Sequence, residues 1–163
     1  MDFRDFSVWI SFLALAVSCL NLWLSRRWAV ENEFRVAARE IALTSDQILL
    51  EVDMTKKLGE RLKGAYSTLA IFAGHGGHSS RMSLALEPVD TKVKVAEAAA
   101  PKARAFQEPH RKLDRNEPDT VDLLRVAFIG ELGTVRSIRQ ELADEYAGVE
   151  KQNAEFRQRA LKG

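Results

Sequence analysis

FSVWISFLALAVSCLNLWL, from Phe6 to Leu24, carries no Asp, Glu, Lys, Arg or His and is followed at once by Arg26 and Arg27. As a helix rising 1.5 Å per residue it reaches about 28 Å, close to the roughly 30 Å hydrocarbon core of a bilayer. Trp9 and Trp23 stand near its two ends, where amphipathic rings prefer the headgroup level. A core helix of a globular protein shows a polar face over such a length, and this one offers only Ser and Asn. The segment therefore reads as a membrane anchor over residues 1–25, leaving residues 26–163 as the body.

That body is long enough for one domain and too short for two ordinary ones. The whole chain has 24 Lys+Arg against 23 Asp+Glu, and the signs are interspersed rather than blocked, so no electrostatic footprint for nucleic acid exists. The only cysteine, Cys19, lies inside the apolar run. An intrachain disulfide and a Cys-based zinc site are both excluded.

Orientation follows the Lys/Arg counts flanking a span. Arg4 precedes it, whereas Arg26, Arg27, Arg35 and Arg39 follow within the counting window. The heavier side is C-terminal, which predicts a single-pass protein of the inner (cytoplasmic) membrane with its body in the cytoplasm. A cleaved signal peptide fits poorly: the leading residues Asp2, Arg4 and Asp5 are not basic overall, and the apolar run exceeds the usual 7–15 residues. Leu15-Ala16-Val17-Ser18-Cys19 resembles a bacterial lipoprotein box, in which the Cys is acylated. Ala16 stands where Leu is usual, however, and the residues after the Cys (Asn21-Leu22-Trp23-Leu24) remain apolar.

From Val30 the apolar residues take a helical beat. Val30, Phe34, Ala37, Ile41, Ile48, Leu58, Leu62, Ala65, Leu69 and Phe72 fall on the a and d positions of one heptad frame, which Thr44, Glu51 and Thr55 break by occupying core slots while Leu49, Leu50, Val52 and Met54 shift the apolar face. Thr44 followed by Gln47 resembles a capping box, which predicts a break or kink near residues 44–46. Gly74 to Ser80 is the clearest breaker. Leu84, Leu86, Val89, Thr91, Val93 and Val95 alternate as strand residues do, yet Glu97-Ala98-Ala99-Ala100 is strongly helix-forming. The expectation here is a helix from about Thr91 to Ala105, interrupted at Pro101, with a Pro-containing connector reaching residue 118.

The last helix has acids at its start (Glu117, Asp119, Asp122) and bases at its end (Arg157, Arg159, Lys162), both matching the helix dipole. Leu124, Phe128, Val135, Ile138, Leu142, Val149 and Phe156 form its stripe. Gly130, Gly133 and Gly148 weaken it, which suggests close packing against another helix or bending. The fold class is all-α: one N-terminal transmembrane helix followed by long amphipathic, coiled-coil-like helices in a hairpin or small bundle. The two long stretches are expected to pair antiparallel. Leu62, Leu69, Leu142 and Val149 sit at the centres of their seams, which are expected to bind a second chain.

Chemistry is sparse. His75 and His78 lie among glycines and His110 stands alone, an incomplete metal-ligand set. The glycines are followed by no Gly-Lys-Ser/Thr, so they form no phosphate loop. No catalytic, cofactor-binding or metal-binding residue can be named, and no enzyme, cofactor or small-molecule substrate is expected. Within the membrane, Ser7, Ser11, Ala14, Ser18, Asn21 and Ser25 recur at spacings of four and three, one continuous stripe of small and weakly polar residues suited to helix association. This stripe is about 200° out of phase with the seam that starts at Val30, so either the helix breaks between them or the two faces serve different partners. The sequence thus describes a small bacterial membrane-anchored scaffold or adaptor whose partners are the lipid bilayer and itself or another helical protein. The alternatives are an envelope-spanning or lysis-type component with its body outside the cytoplasm, a lipoprotein acylated at Cys19, and a membrane-tethered enzyme.

Overall fold

A computed structural model describes residues 3–72, 80–108, 113 and 117–161, and of residues 3–8, 80–82 and 118 the backbone alone. Helix α1 runs without interruption from Phe3 to Phe72, α2 covers Ser80–Glu97, α3 Ala100–Ala105 and α4 Pro118–Ala160. Among the described residues the secondary structure is entirely helical.

α1 shows no break at 44–46. The hydroxyls there turn inward rather than capping a new helix: Thr44 Oγ1 donates to the Glu40 carbonyl at 2.8 Å and Ser45 Oγ to the Ile41 carbonyl at 2.8 Å. Such bonds onto the preceding turn satisfy the hydroxyl inside the helix. The buried line runs through Ala38, Ile41, Ser45, Ile48, Glu51, Val52, Thr55, Leu62 and Ala65. Glu51 and Thr55 thus keep the core slots their spacing assigns, although polar; Thr55 Oγ1 bonds the Glu51 carbonyl at 2.7 Å. Val30 and Phe72, the two ends of the heptad frame, are exposed.

Residues 84–95 are helical, and α2 begins earlier than the expected Thr91, with Pro88 inside it. Strand-like alternation yields to burial at helical spacing: Val89, Ala96, Ala100 and Ala103 face the core with Val93 packed beside them, while Leu84 and Val95 are exposed. A strand here lacks a second strand to pair with, and an isolated one leaves its backbone groups unbonded. The turn at Ala98–Ala99 ends α2 just before Pro101, which occupies the first turn of α3, where a missing N–H costs little.

The long stretches α1 and α4 lie parallel, not antiparallel. Successive levels pair Glu40 with Arg125, Glu51 with Arg136 and Arg139, and Ala65 with Asn153. The return stroke is α2–α3, antiparallel to α1: Lys63 pairs with Asp90, Lys56 with Glu97, and Asp46 accepts from Gln107. Short connections make successive helices alternate in direction, so the third runs with the first. The body is an up–down–up bundle of three strokes, α1, α2–α3 and α4.

Its core has three levels. Ala38, Ile41, Leu113 and Val121 close the end nearer the apolar segment. Ile48 and Val52 meet Ala96–Ala103 and Phe128, Leu132 and Val135 in the middle, where Phe106 and Phe128 stack edge to face with centroids 5.3 Å apart. Leu62, Ala65, Val89, Leu142 and Val149 fill the far level.

Glycine spacing separates two situations. A Cβ on Gly59 falls 2.6 Å from Val93 Cγ2, so any larger residue there forces the stiff Val93 side chain of α2 to move. Gly130, Gly133 and Gly148 have nothing within 4 Å of the corresponding point, so close packing within the chain does not account for them. Gly59→Ala is therefore expected to lower stability by about 1–3 kcal/mol, the overpacking cost exceeding the helix-propensity gain of up to about 1 kcal/mol. Val93→Ala in the same chain should restore most of it. Gly130→Ala should raise stability by roughly 0.5–1 kcal/mol. Urea unfolding of the three variants checks both signs.

Candidate interaction surfaces

The first surface is the unpaired part of α1. An 18-residue window of α1 near its N-terminal end is long and apolar enough to cross a membrane, and none of that window is buried within the chain. Trp9, Phe12, Leu13, Leu15, Leu20, Leu22 and Trp23 all stand exposed, with the Arg27 guanidinium over the Trp23 ring at 5.4 Å. Ser11, Ala14, Ser18, Asn21 and Ser25 share one exposed side of it; the side chain of Ser7 lies outside the described ones. Because α1 is unbroken, this side keeps its phase into the body. From Ser25 to the buried Ile41 the rotation is roughly 160°, so the stripe faces away from the bundle core.

The seam residues are covered by their own chain. Leu62 and Leu142 are fully buried and Val149 nearly so, all in the far core level, with Leu69 packed at its edge. The seam that sequence spacing assigned to a second chain is thus the contact between α1 and α4, with Val89 of α2 completing it. Burying such a Leu contributes about 1.5–3 kcal/mol each.

The most enclosed of the polar side chains that bridge the helices are Glu51 and Asn153. The Glu51 carboxylate, its side chain only 9 % exposed, sits between two guanidinium groups of α4. Arg136 Nε donates to its Oε1 at 3.2 Å, and Arg139 Nε stands 2.8 Å from its Oε2. The second contact is a charge pair off the hydrogen-bond line, since neither atom has a hydrogen-bond partner. Higher up, Tyr66 Oη donates to Glu145 Oε1 at 2.7 Å, and Lys92 of α2 reaches Glu141 at 3.1 Å and Glu145 at 3.7 Å. Asn153, fully buried, donates from Nδ2 to the Ala65 carbonyl at 3.0 Å, while its Oδ1 has no partner. Sequence reasoning missed Asn153, although it falls four residues after Val149 and three before Phe156, on the stripe itself.

Burial, the hydrogen bond to Glu145 and the charge of that carboxylate push the Tyr66 phenol up from 10.0 to about 12. The folded state thus holds the proton more tightly than the unfolded chain. Its contribution to stability is complete below about pH 10 and is lost as pH rises toward about 12. Alkaline unfolding of Tyr66→Phe should lack that step, which absorbance at 295 nm follows.

Open crevices flank α4. One of about 350 Å³ lies between Val30, Phe34 and Ala37 of α1 and Val121 and Arg125 of α4. Another, of about 460 Å³, is walled by Pro101, Ala105 and Phe106 and by Leu124, Ala127 and Phe128. Neither gathers a nucleophile with a base. Among the described residues no three His, Cys, Asp or Glu side chains converge as metal ligands. His75, His78 and His110 lie outside the described residues, as do Gly74 to Ser79. Cys19 is a free, exposed thiol on the apolar segment.

No family model matches this chain, and no curated protein and no solved structure matches it.

Proposed function

We propose that this protein is a membrane-anchored helical scaffold that presents a three-helix body to protein partners at a bilayer surface. One observation carries the reading: the exposed apolar segment and the first helix of the body are a single helix, α1. An apolar segment with no cover inside the chain requires lipid or another helix, and its exposure separates it from the buried core helix of a soluble protein. The function is to hold and present rather than to catalyse. Confining the body to two dimensions raises its effective concentration for anything else held at that surface. Arg26, Arg27, Arg35 and Arg39 support a single-pass inner-membrane arrangement with the body cytoplasmic.

The second reading, an envelope-spanning component with its body outside the cytoplasm, is favoured by reach. From Arg26 to Phe72 α1 extends about 70 Å.

Fractionation tests the anchor. Full-length chain should remain with membranes through a carbonate wash, whereas residues 26–163 should be soluble and helical, since the buried core starts at Ala38. A truncated chain that still pellets contradicts the proposal. N-terminal sequencing that begins at an acylated Cys19 assigns a lipoprotein instead. A reporter active only in the cytoplasm, fused at Gly163, distinguishes the two orientations.

A further inference from the structure

We infer that two copies of this chain pair in parallel through the outer face of α1, the face turned away from α2, α3 and α4; this rests on the anchored reading and names its partner. The face carries an apolar row on the body, Val36, Leu43 and Leu50, which are 50 %, 54 % and 60 % exposed although each is a large side chain on the bundle's longest helix. They are seven residues apart, so successive members drift only about 20° on a straight helix. The row continues into the membrane. Ser25 precedes Val36 by eleven residues, three turns plus roughly 20°, and Ser18 and Ser11 lie one and two heptads earlier. No break in α1 disturbs that phase. The shared face is about 58 Å long from Ser11 to Leu50.

The flanking charges identify the occupant as a second copy. Arg35 and Arg39 lie on one flank of the row, Glu33 and Glu40 on the other. A bilayer holds all copies in one orientation, so a pair formed within it is parallel. A two-fold axis along the membrane normal then sets the basic flank of each copy against the acidic flank of its partner. Arg39 and Glu33 have no ion-pair partner within the chain among the described residues, so both charges are free for this. Small side chains at Ser11, Ala14 and Ser18 permit close approach at the membrane end, and Asn21 supplies a polar group able to bond across the pair.

Cross-linking of the full-length chain in membranes tests the pairing. In a Cys19→Ser background, Leu43→Cys treated with a short bis-maleimide should give an adduct of twice the chain's mass. Leu123→Cys, more exposed than Leu43 but on the outer side of α4, should stay monomeric. With the cysteine moved to Val36, Leu50→Lys should lower dimer yield about tenfold, equivalent to about 1.4 kcal/mol. Arg39→Glu should lower it too, and Glu33→Arg in the same chain should restore it. A chain that pellets with membranes but cross-links through Leu123, cross-links only to another protein, or stays monomeric at Leu43 overturns the pairing and leaves the anchored reading standing. A chain absent from the membrane fraction overturns both.

Discussion

Leu142→Asp should abolish the folded body. Leu142 is fully buried against Leu62, Ala65, Val89 and Val149, so the substitution removes apolar contact from all three long helices at once. Truncation of a buried Leu alone costs about 2–5 kcal/mol. An aspartate left there has no cation in that level's apolar cluster, and burying an unpaired carboxylate adds further cost. The total exceeds about 5 kcal/mol, comparable with the whole stability of a domain this size. Circular dichroism should show loss of most helical signal from the soluble body. Its neighbour gives the control. Glu141 makes only a partly exposed pair with Lys92, so Glu141→Gln should cost less than about 1 kcal/mol. Near-wild-type stability for Leu142→Asp would mean that α1 and α4 do not meet there.

The second large effect is expected at Glu51. Its carboxylate is enclosed, while Arg136 and Arg139 keep 52 % and 39 % of their side chains exposed. The pair is therefore asymmetric: released arginines can turn to water, but a released carboxylate cannot. Removing both arginines as Arg136→Met with Arg139→Met should cost about 3–5 kcal/mol, the range for a buried charge left without its partner. Adding Glu51→Leu to that chain should recover most of the loss, because an apolar residue suits the site once the charges are gone. The order of denaturation midpoints is thus wild type near the triple variant, with the double variant well below. Equal midpoints for double and triple variants would show that the carboxylate is not enclosed.

Much of this architecture can be read from residue spacing, and the exceptions have physical causes. The membrane-length apolar segment is legible because nineteen uncharged, mostly apolar residues run unbroken up to Arg26 and Arg27. The core positions of α1 are legible except at Glu51 and Thr55, which read as breaks in the frame because composition argues against burial, yet are buried. Helical phase carries across one or two polar residues when each finds a partner, Arg136 and Arg139 for the first and a backbone carbonyl for the second. The Thr44–Gln47 signature misleads for the same reason: a hydroxyl can cap a new helix or bond back into the old one, and local sequence does not decide which.

The return stroke is legible only in its second half: a helix is expected from about Thr91 to Ala105, whereas α2 begins at Ser80. Leu84 to Val95 mixes β-branched residues, an alternating pattern and Pro88, all against a helix by local propensity. Only the face that Val89 and Val93 present to Gly59 and Leu62, and Ala96 to the middle core level, makes it helical. Without that element the two long stretches need an antiparallel pairing, or a second chain, to cover Leu62 and Leu142. With it, α4 runs parallel to α1 and the chain covers its own seam. What is left uncovered is the outer face of α1 with the apolar segment it continues, and on α4 the row Leu123, Val126 and Ile129; the proposed pairing uses the first of these, the one continuous with the apolar segment.

In the proposed arrangement the apolar segment and the body are joined by one rigid helix, α1. A distance between spin labels at Arg27 and Lys57 tests it, measured in the full-length Cys19→Ser chain in bilayers with labelled copies diluted into unlabelled ones. Thirty residues of unbroken α-helix separate the two by about 45 Å. A single narrow distribution near that value is expected. A broad or much shorter one would contradict it, placing a hinge between membrane and bundle and uncoupling the face in the bilayer from the face on the body.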